Sequence, residues 1–206
     1  MPVAQRDSAF LNIPYDPAYQ ERFLVYIAGL TAFGLDPRAT LELTTGDRRL
    51  DRIFALISEC RYSFHDLSLV KLDRKPPATP RFNMPFELGL VAGWQKAAPS
   101  GHAWFVFESS AYRLQKSLSD LNGTDPFIYG EHAEGILREI RNALVRRTHQ
   151  PTFRQMRSIF ESLRADVPGI KKNAGAKSLF EAGAFAELVV VARRHAELSI
   201  PGMKDS

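Results

Sequence analysis

The alternation of apolar and polar positions divides the chain into strand–helix repeats followed by a purely helical end. Ala9-Phe10-Leu11-Asn12-Ile13 is a short apolar run closed by Pro14, which predicts a buried first strand. In Pro14-Tyr15-Asp16-Pro17, Asp16 caps a helix that opens at Pro17. Tyr19, Phe23, Ile27 and Leu30 fall on one face of that helix, and Gly34 ends it. Leu35 to Leu43 reads as a second strand, with Pro37 suiting a sheet edge. Thr44-Thr45-Gly46-Asp47 makes a turn, and Asp47 or a neighbour caps a helix through Leu50, Ile53, Phe54 and Ile57. Arg61 to Leu67 follows as a third strand with polar residues at its far end, and Ser68 to Phe82 as a long irregular loop. A helix from Asn83 to about Ala97 leads to a buried fourth strand, His102 to Glu108. Ala111 to Leu121 is weakly helical, Asp125 to Tyr129 is a short fifth strand or a packed loop, and Glu131 to Arg147 is amphipathic through Ile136, Ile140 and Leu144. Beyond Pro151 come two helical stretches, Thr152–Ala165 and Ser178–Glu197, joined by a Pro-Gly-Ile-Lys-Lys-Asn-Ala-Gly-Ala linker.

Strands alternating with helices predict an α/β domain over residues 1–150, with a helical tail over 151–206. The expected architecture is a flavodoxin-like open, mainly parallel sheet of order 2-1-3-4-5, flanked by helices. In that order strands one and three meet at the switch point, where ligands bind outside the carboxyl ends. Pro14, Tyr15 and Asp16 close the first of these strands, and His65, Asp66 and Ser68 the third. Leu179, Phe180, Phe185, Leu188, Val189 and Val191 make the tail more apolar than a free helix needs, so it covers the domain or forms a homo-oligomer contact.

At 206 residues and 45% hydrophobic, the chain can bury a proper core. Its 27 basic and 23 acidic residues leave a net charge of +4, too little to argue for nucleic acid. The single cysteine, Cys60, excludes an intramolecular disulfide framework and reads as a buried thiol. With no apolar run of membrane-spanning length, no N-terminal signal segment and no metal-ligand spacing, a soluble cytoplasmic protein without a bound cofactor is expected.

The chemistry centres on Arg81 to Trp94. Asn83 suits an N-cap, and Pro85 is tolerated in a first turn. Phe86, Leu90, Val91 and Trp94 recur at helical spacing, with Glu87 among them. Gly89 and Gly93 admit a neighbouring backbone or a ligand. A carboxylate in apolar company needs a partner or a task, although an acidic residue against the helix dipole is the simpler account. Such a carboxylate can attack an anomeric carbon or stabilise an oxocarbenium ion. Asp66 binds a ribose hydroxyl or assists proton transfer, or only caps a turn. Tyr15 stacks on a base, or only packs. Arg48, Arg49 and Arg81 could meet phosphates, but Arg48 and Arg49 read most simply as solvated charges. His65 reads as a neutral core imidazole or a catalytic one, and its alternation with Asp66 favours the first by turning it away from the crevice. Glu108, another strand-end acid, is the natural comparison for Glu87.

Asn83-Met84-Pro85-Phe86-Glu87-Leu88-Gly89-Leu90 resembles the Asn-x-x-Phe-Glu-Leu-Gly signature of the TIR-like and nucleoside 2-deoxyribosyltransferase-like proteins. Tyr62 to Ser68 resembles their strand ending in Asp-Leu-Ser, and Leu11 to Asp16 their first strand and its proline-aromatic loop. The likeness covers roughly residues 8 to 108. Pro85 and the basic loop before Asn83 depart from the pattern. The resemblance implies cleavage of an N-glycosidic bond in a nucleotide, a nucleoside or NAD as substrate, with Glu87 and Asp66 catalytic. It implies a site completed by Pro14, Tyr15, Asp16, Ser68, Arg81 and Asn83. A nucleotide-sensing or protein-interaction module of the same fold, without catalysis, is the alternative.

Overall fold

The computed structural model describes residues 6–42, 48–70, 72–73, 75–97, 101–121 and 123–203. Strand β1 spans Arg6–Asn12 and is buried from Ser8 onward. Its Ala9 and Leu11 enter the main apolar core, whereas Phe10 packs with a second cluster on the other face. This two-residue alternation marks the two sides of the sheet. Pro17–Tyr19 forms a single 3₁₀ turn, capped by Asp16 through the Ala18 N–H, and α1 continues from it over Gln20–Ala32. α1 is buried almost all round because two further helices, described below, both pack on its outer side.

The second strand, β2 (Asp36–Arg38), is shorter than its apolar pattern predicts. After Pro37 the chain turns into a 3₁₀ turn at Thr40–Glu42. Leu43 and the predicted turn at 44–47, with its capping Asp47, lie outside the described residues. α2 (Arg49–Glu59) buries Ile53, Leu56 and Ile57 and leaves Leu50 and Phe54 partly exposed. β3 (Cys60–Asp66) follows directly, and burial pushes the Cys60 thiol up to about 11, as suits an inert core cysteine. The long loop contains a two-stranded antiparallel hairpin, β4 (Leu72–Asp73) with β5 (Thr79–Pro80).

α3 (Asn83–Ala97) leads to β6 (Ala103–Glu108), the short α4 (Arg113–Ser117), β7 (Phe127–Ile128) and α5 (Gly135–Ala143). The five-stranded sheet has the order β2-β1-β3-β6-β7, and every pair is parallel. The expected flavodoxin-like order therefore holds, and β1 and β3 meet at its centre.

α6 runs over Phe153–Asn173, straight through the first part of the expected linker. Pro168 is tolerated because the carbonyl it leaves unpaired, on Arg164, lies on an exposed turn. Thr152 and Gln155 form a reciprocal cap at its start. α7 (Ala182–Ser199) packs against α6, and both rest on α1. Phe185 stacks on Phe23, and Leu179 and Leu188 are buried, so the apolar tail covers the chain's own core. No described helix is long and apolar enough to cross a membrane.

Candidate active site

One side chain at the end of β1 fixes the position of α3. The amide of Asn12 donates to the Met84 carbonyl at 3.1 Å and to His65 Nδ1 at 2.8 Å. With its Nδ1 accepting, His65 donates from Nε2 to Ser63 Oγ at 2.9 Å. Ser63 then donates to His102 Nε2 at 2.9 Å, and His102 Nδ1 donates to the Cys60 carbonyl at 2.8 Å. Every donor in this buried chain points the same way, and both imidazoles are neutral in it. Burial drives His65 down to about 3, and His102 is lowered for the same reason. His65 is thus the core imidazole its sequence context suggests.

A cavity of about 710 Å³ opens beside the first turn of α3. Pro14, Tyr15, Arg81 and Asn83, four of the expected site residues, line it together with Arg49, Met84 and the hairpin from Lys75 to Pro80. Glu87 lies just behind this wall and is only 3% exposed. Arg49 Nη2 sits 3.5 Å from Glu87 Oε1 and is half exposed, so the guanidinium stands between the carboxylate and solvent. Burial raises Glu87 to about 6, and the Arg49 charge opposes that rise. Burial also raises Tyr15 to about 12, with the Glu87 carboxylate adding to the effect. The Tyr15 hydroxyl and Thr40 Oγ1 are 2.9 Å apart, and its ring lies 5.7 Å from that of Phe180. The tail therefore braces one wall of the cavity.

Several expectations about α3 change. Asn83 is the first helical residue rather than the cap, because the Phe86 N–H already bonds the Phe82 carbonyl. Pro85 removes one of the N–H groups that a helix start offers an anion. Phe86 is 55% exposed and does not screen Glu87; Leu88 and Val91 form the buried face. A Cβ added at Gly89 or Gly93 would meet no neighbouring atom within 4 Å, so neither marks a close approach.

Asp66 lies on the opposite side of the sheet from Glu87. It shares the period-two face of Tyr62 and Phe64, which pack toward α1 in the main core. There its carboxylate accepts from the hydroxyls of Tyr19, Tyr26 and Tyr129, and from the Ser68 N–H at 2.9 Å. Ser68 is buried beside it and gives its carbonyl to Arg113 at 2.7 Å. Asp16 pairs with Arg81 at 3.1 Å at the rim. The structure thus brings Pro14, Tyr15, Arg81, Asn83 and Glu87 to one place, and Asp66 with Ser68 to another. Glu108 is no neutral comparison: it is buried and paired with Arg113 at 3.2 Å.

Arg49 is the residue sequence reasoning passed over, because a basic pair before a helix carries no signal that one member turns inward. Among the described residues no His, Cys, Asp and Glu group has a metal-binding arrangement. Comparison with family models, with curated proteins and with solved structures finds no match to this chain.

Proposed function

We propose that the chain cleaves the N-glycosidic bond of a nucleotide, a nucleoside or NAD, with Glu87 as the residue facing the anomeric carbon. The observation that carries this reading is a buried carboxylate, raised to about 6, held behind the wall of a cavity at the carboxyl edge of a parallel sheet. Above that value the carboxylate is ionised and offers a fixed negative charge to the oxocarbenium ion that forms as the base departs. The base leaves with the bonding electron pair, and water or an acceptor hydroxyl adds to the sugar. Tyr15 and Met84 offer faces for the base, and Arg81, at the rim, suits an anionic group. Arg49 has a double part: it holds Glu87 in place, and a substrate phosphate competes for its guanidinium and so uncovers the carboxylate.

The test is base release by the purified chain from NAD, a ribonucleoside and a deoxyribonucleoside, followed chromatographically. Release from at least one supports the reading. The Arg49–Glu87 pair also favours a second reading, a module that binds a nucleotide without cleaving it. Saturable binding with no base released would select that reading over the first.

Arg49→Met removes the charge that opposes the raised pKa of Glu87. The acidic limb of kcat/KM, expected near pH 6 in the parent, should then move upward by about one pH unit. A pH–rate series on the two proteins measures this shift. An unchanged limb would mean that Glu87 is not the group titrating.

A further inference from the structure

The last strand of the sheet covers only part of its neighbour. β7 pairs with Phe107 and Glu108 alone, so among the described residues no strand lies beside the earlier part of β6. The backbone direction there follows from two hydrogen bonds. The Phe107 carbonyl accepts from Leu67, on the β3 side, and the Glu108 carbonyl accepts from Tyr129, on the β7 side. Peptide groups alternate sides along a strand, so Val106 and Trp104 face outward with Glu108. The His102 carbonyl, next in the series, is taken by the Gln95 amide at 3.3 Å. The Phe107–Phe127 pairing gives the Val106 carbonyl to β7, so the N–H and C=O of Trp104 and the N–H of Val106 remain turned to the open flank.

A second cavity, of about 760 Å³, lies on the α5 side of the sheet and reaches from Asp7 and Tyr62 to Ala103 and Phe105 of β6. Its floor is aromatic: Tyr62 and Phe105 stack with their rings 6.3 Å apart. Its rim carries Arg61, Arg146 and Arg147 against a single carboxylate, Asp7, which both Arg61 and Arg147 contact, at 3.2 and 2.9 Å. Arg146 is exposed and forms no ion pair with a described residue.

We propose that the open flank of β6 at Trp104–Val106 accepts an extended acidic segment of a partner protein as an added strand. An unpaired edge offers main-chain hydrogen bonds in any sequence, and the flanking pocket then selects the side chains. On the cavity face, alternate residues of the incoming strand meet the arginine rim, which favours glutamate or aspartate. On the other face they lie over Trp104, which favours an apolar side chain. A second copy of this chain is the poorer occupant, because twofold pairing along β6 brings two arginine rims together.

The probe is a fluorescein-labelled hexapeptide, Glu-Val-Glu-Val-Glu-Val, titrated with the full chain in fluorescence anisotropy. Saturable binding is expected, weakened at least tenfold when the glutamates are replaced by lysines and similarly by Arg146→Glu in the protein. Two further probes, N-methylated on alternate residues, read the main chain directly. Methylation of the set that faces β6 should abolish binding, and methylation of the other set should leave it within a few-fold. The proposal falls if neither charge form binds, if both methylated probes bind equally, or if light scattering finds a dimer that must dissociate before the probe binds.

Discussion

Glu87→Gln should lower base release by about 10²- to 10³-fold, the cost of removing one fixed charge aimed at a developing one. Glutamine keeps the size of the side chain and can still receive a hydrogen bond from Arg49. Folding should survive, because the substitution removes a buried carboxylate whose burial is itself unfavourable. The measurement is kcat and KM for whichever substrate the parent cleaves, with Glu161→Gln, an exposed acid on α6, as the comparison. KM should change little and kcat should carry the loss. Parent-like kcat in Glu87→Gln would remove the catalytic assignment, whatever the protein binds.

Asp66→Ala should cost the fold on the order of 3–5 kcal/mol, because it strands three buried tyrosine hydroxyls around an empty site. Tyr19→Phe removes one donor and leaves two, so about 1 kcal/mol is expected from it. Urea unfolding of the two variants reads both numbers. The resemblance gives Asp66 a catalytic part, whereas its place on the α1 side of the sheet gives it a structural one. Asp66→Asn separates them: assayed where it is folded, a structural Asp66 leaves kcat within a few-fold of the parent. A loss of several hundred-fold in folded protein would restore the catalytic part.

The alternation of strands and helices was legible because each central strand is a short apolar run ended by polar residues, and the strand order followed from the flavodoxin-like expectation and not from the runs themselves. What the pattern of apolar residues hides is the direction of polar ones. Asp66 and His65 sit side by side in sequence, yet the first shares a face with Tyr62 and Phe64 and the second with Ser63. Period-two counting from those aromatics shows that Asp66 turns away from the helix carrying Glu87. Phe86 misled in a similar way: helical spacing groups it with Leu90 and Trp94, but the buried stripe passes through Glu87, Leu88 and Val91. Arg49 was illegible because its role depends on α2 and α3 meeting across the sheet end. The hairpin at residues 72–80 has strands of two residues, too short for any period to register.

The one-way donor chain from Asn12 to the Cys60 carbonyl makes the folded protein a poor acceptor of acid. His65 stays neutral when a histidine of the unfolded chain takes up a proton below about pH 6.5, so it removes about 1.4 kcal/mol of stability for every pH unit of acidification while that difference lasts, and His102, lowered in the same direction, adds to the loss. Glu87 has the opposite sign. Between about pH 4.5 and 6 it holds a proton in the native state that the unfolded chain has released, so acidification through that window stabilises the fold. Over this interval the Glu87 contribution offsets that of one histidine, and acid lability emerges fully only below it. Replacing Glu87 by glutamine removes the counterweight: the slope of unfolding free energy against pH between 4.5 and 6 should steepen by about 1.4 kcal/mol per pH unit. Denaturation curves alone can read this, without any substrate.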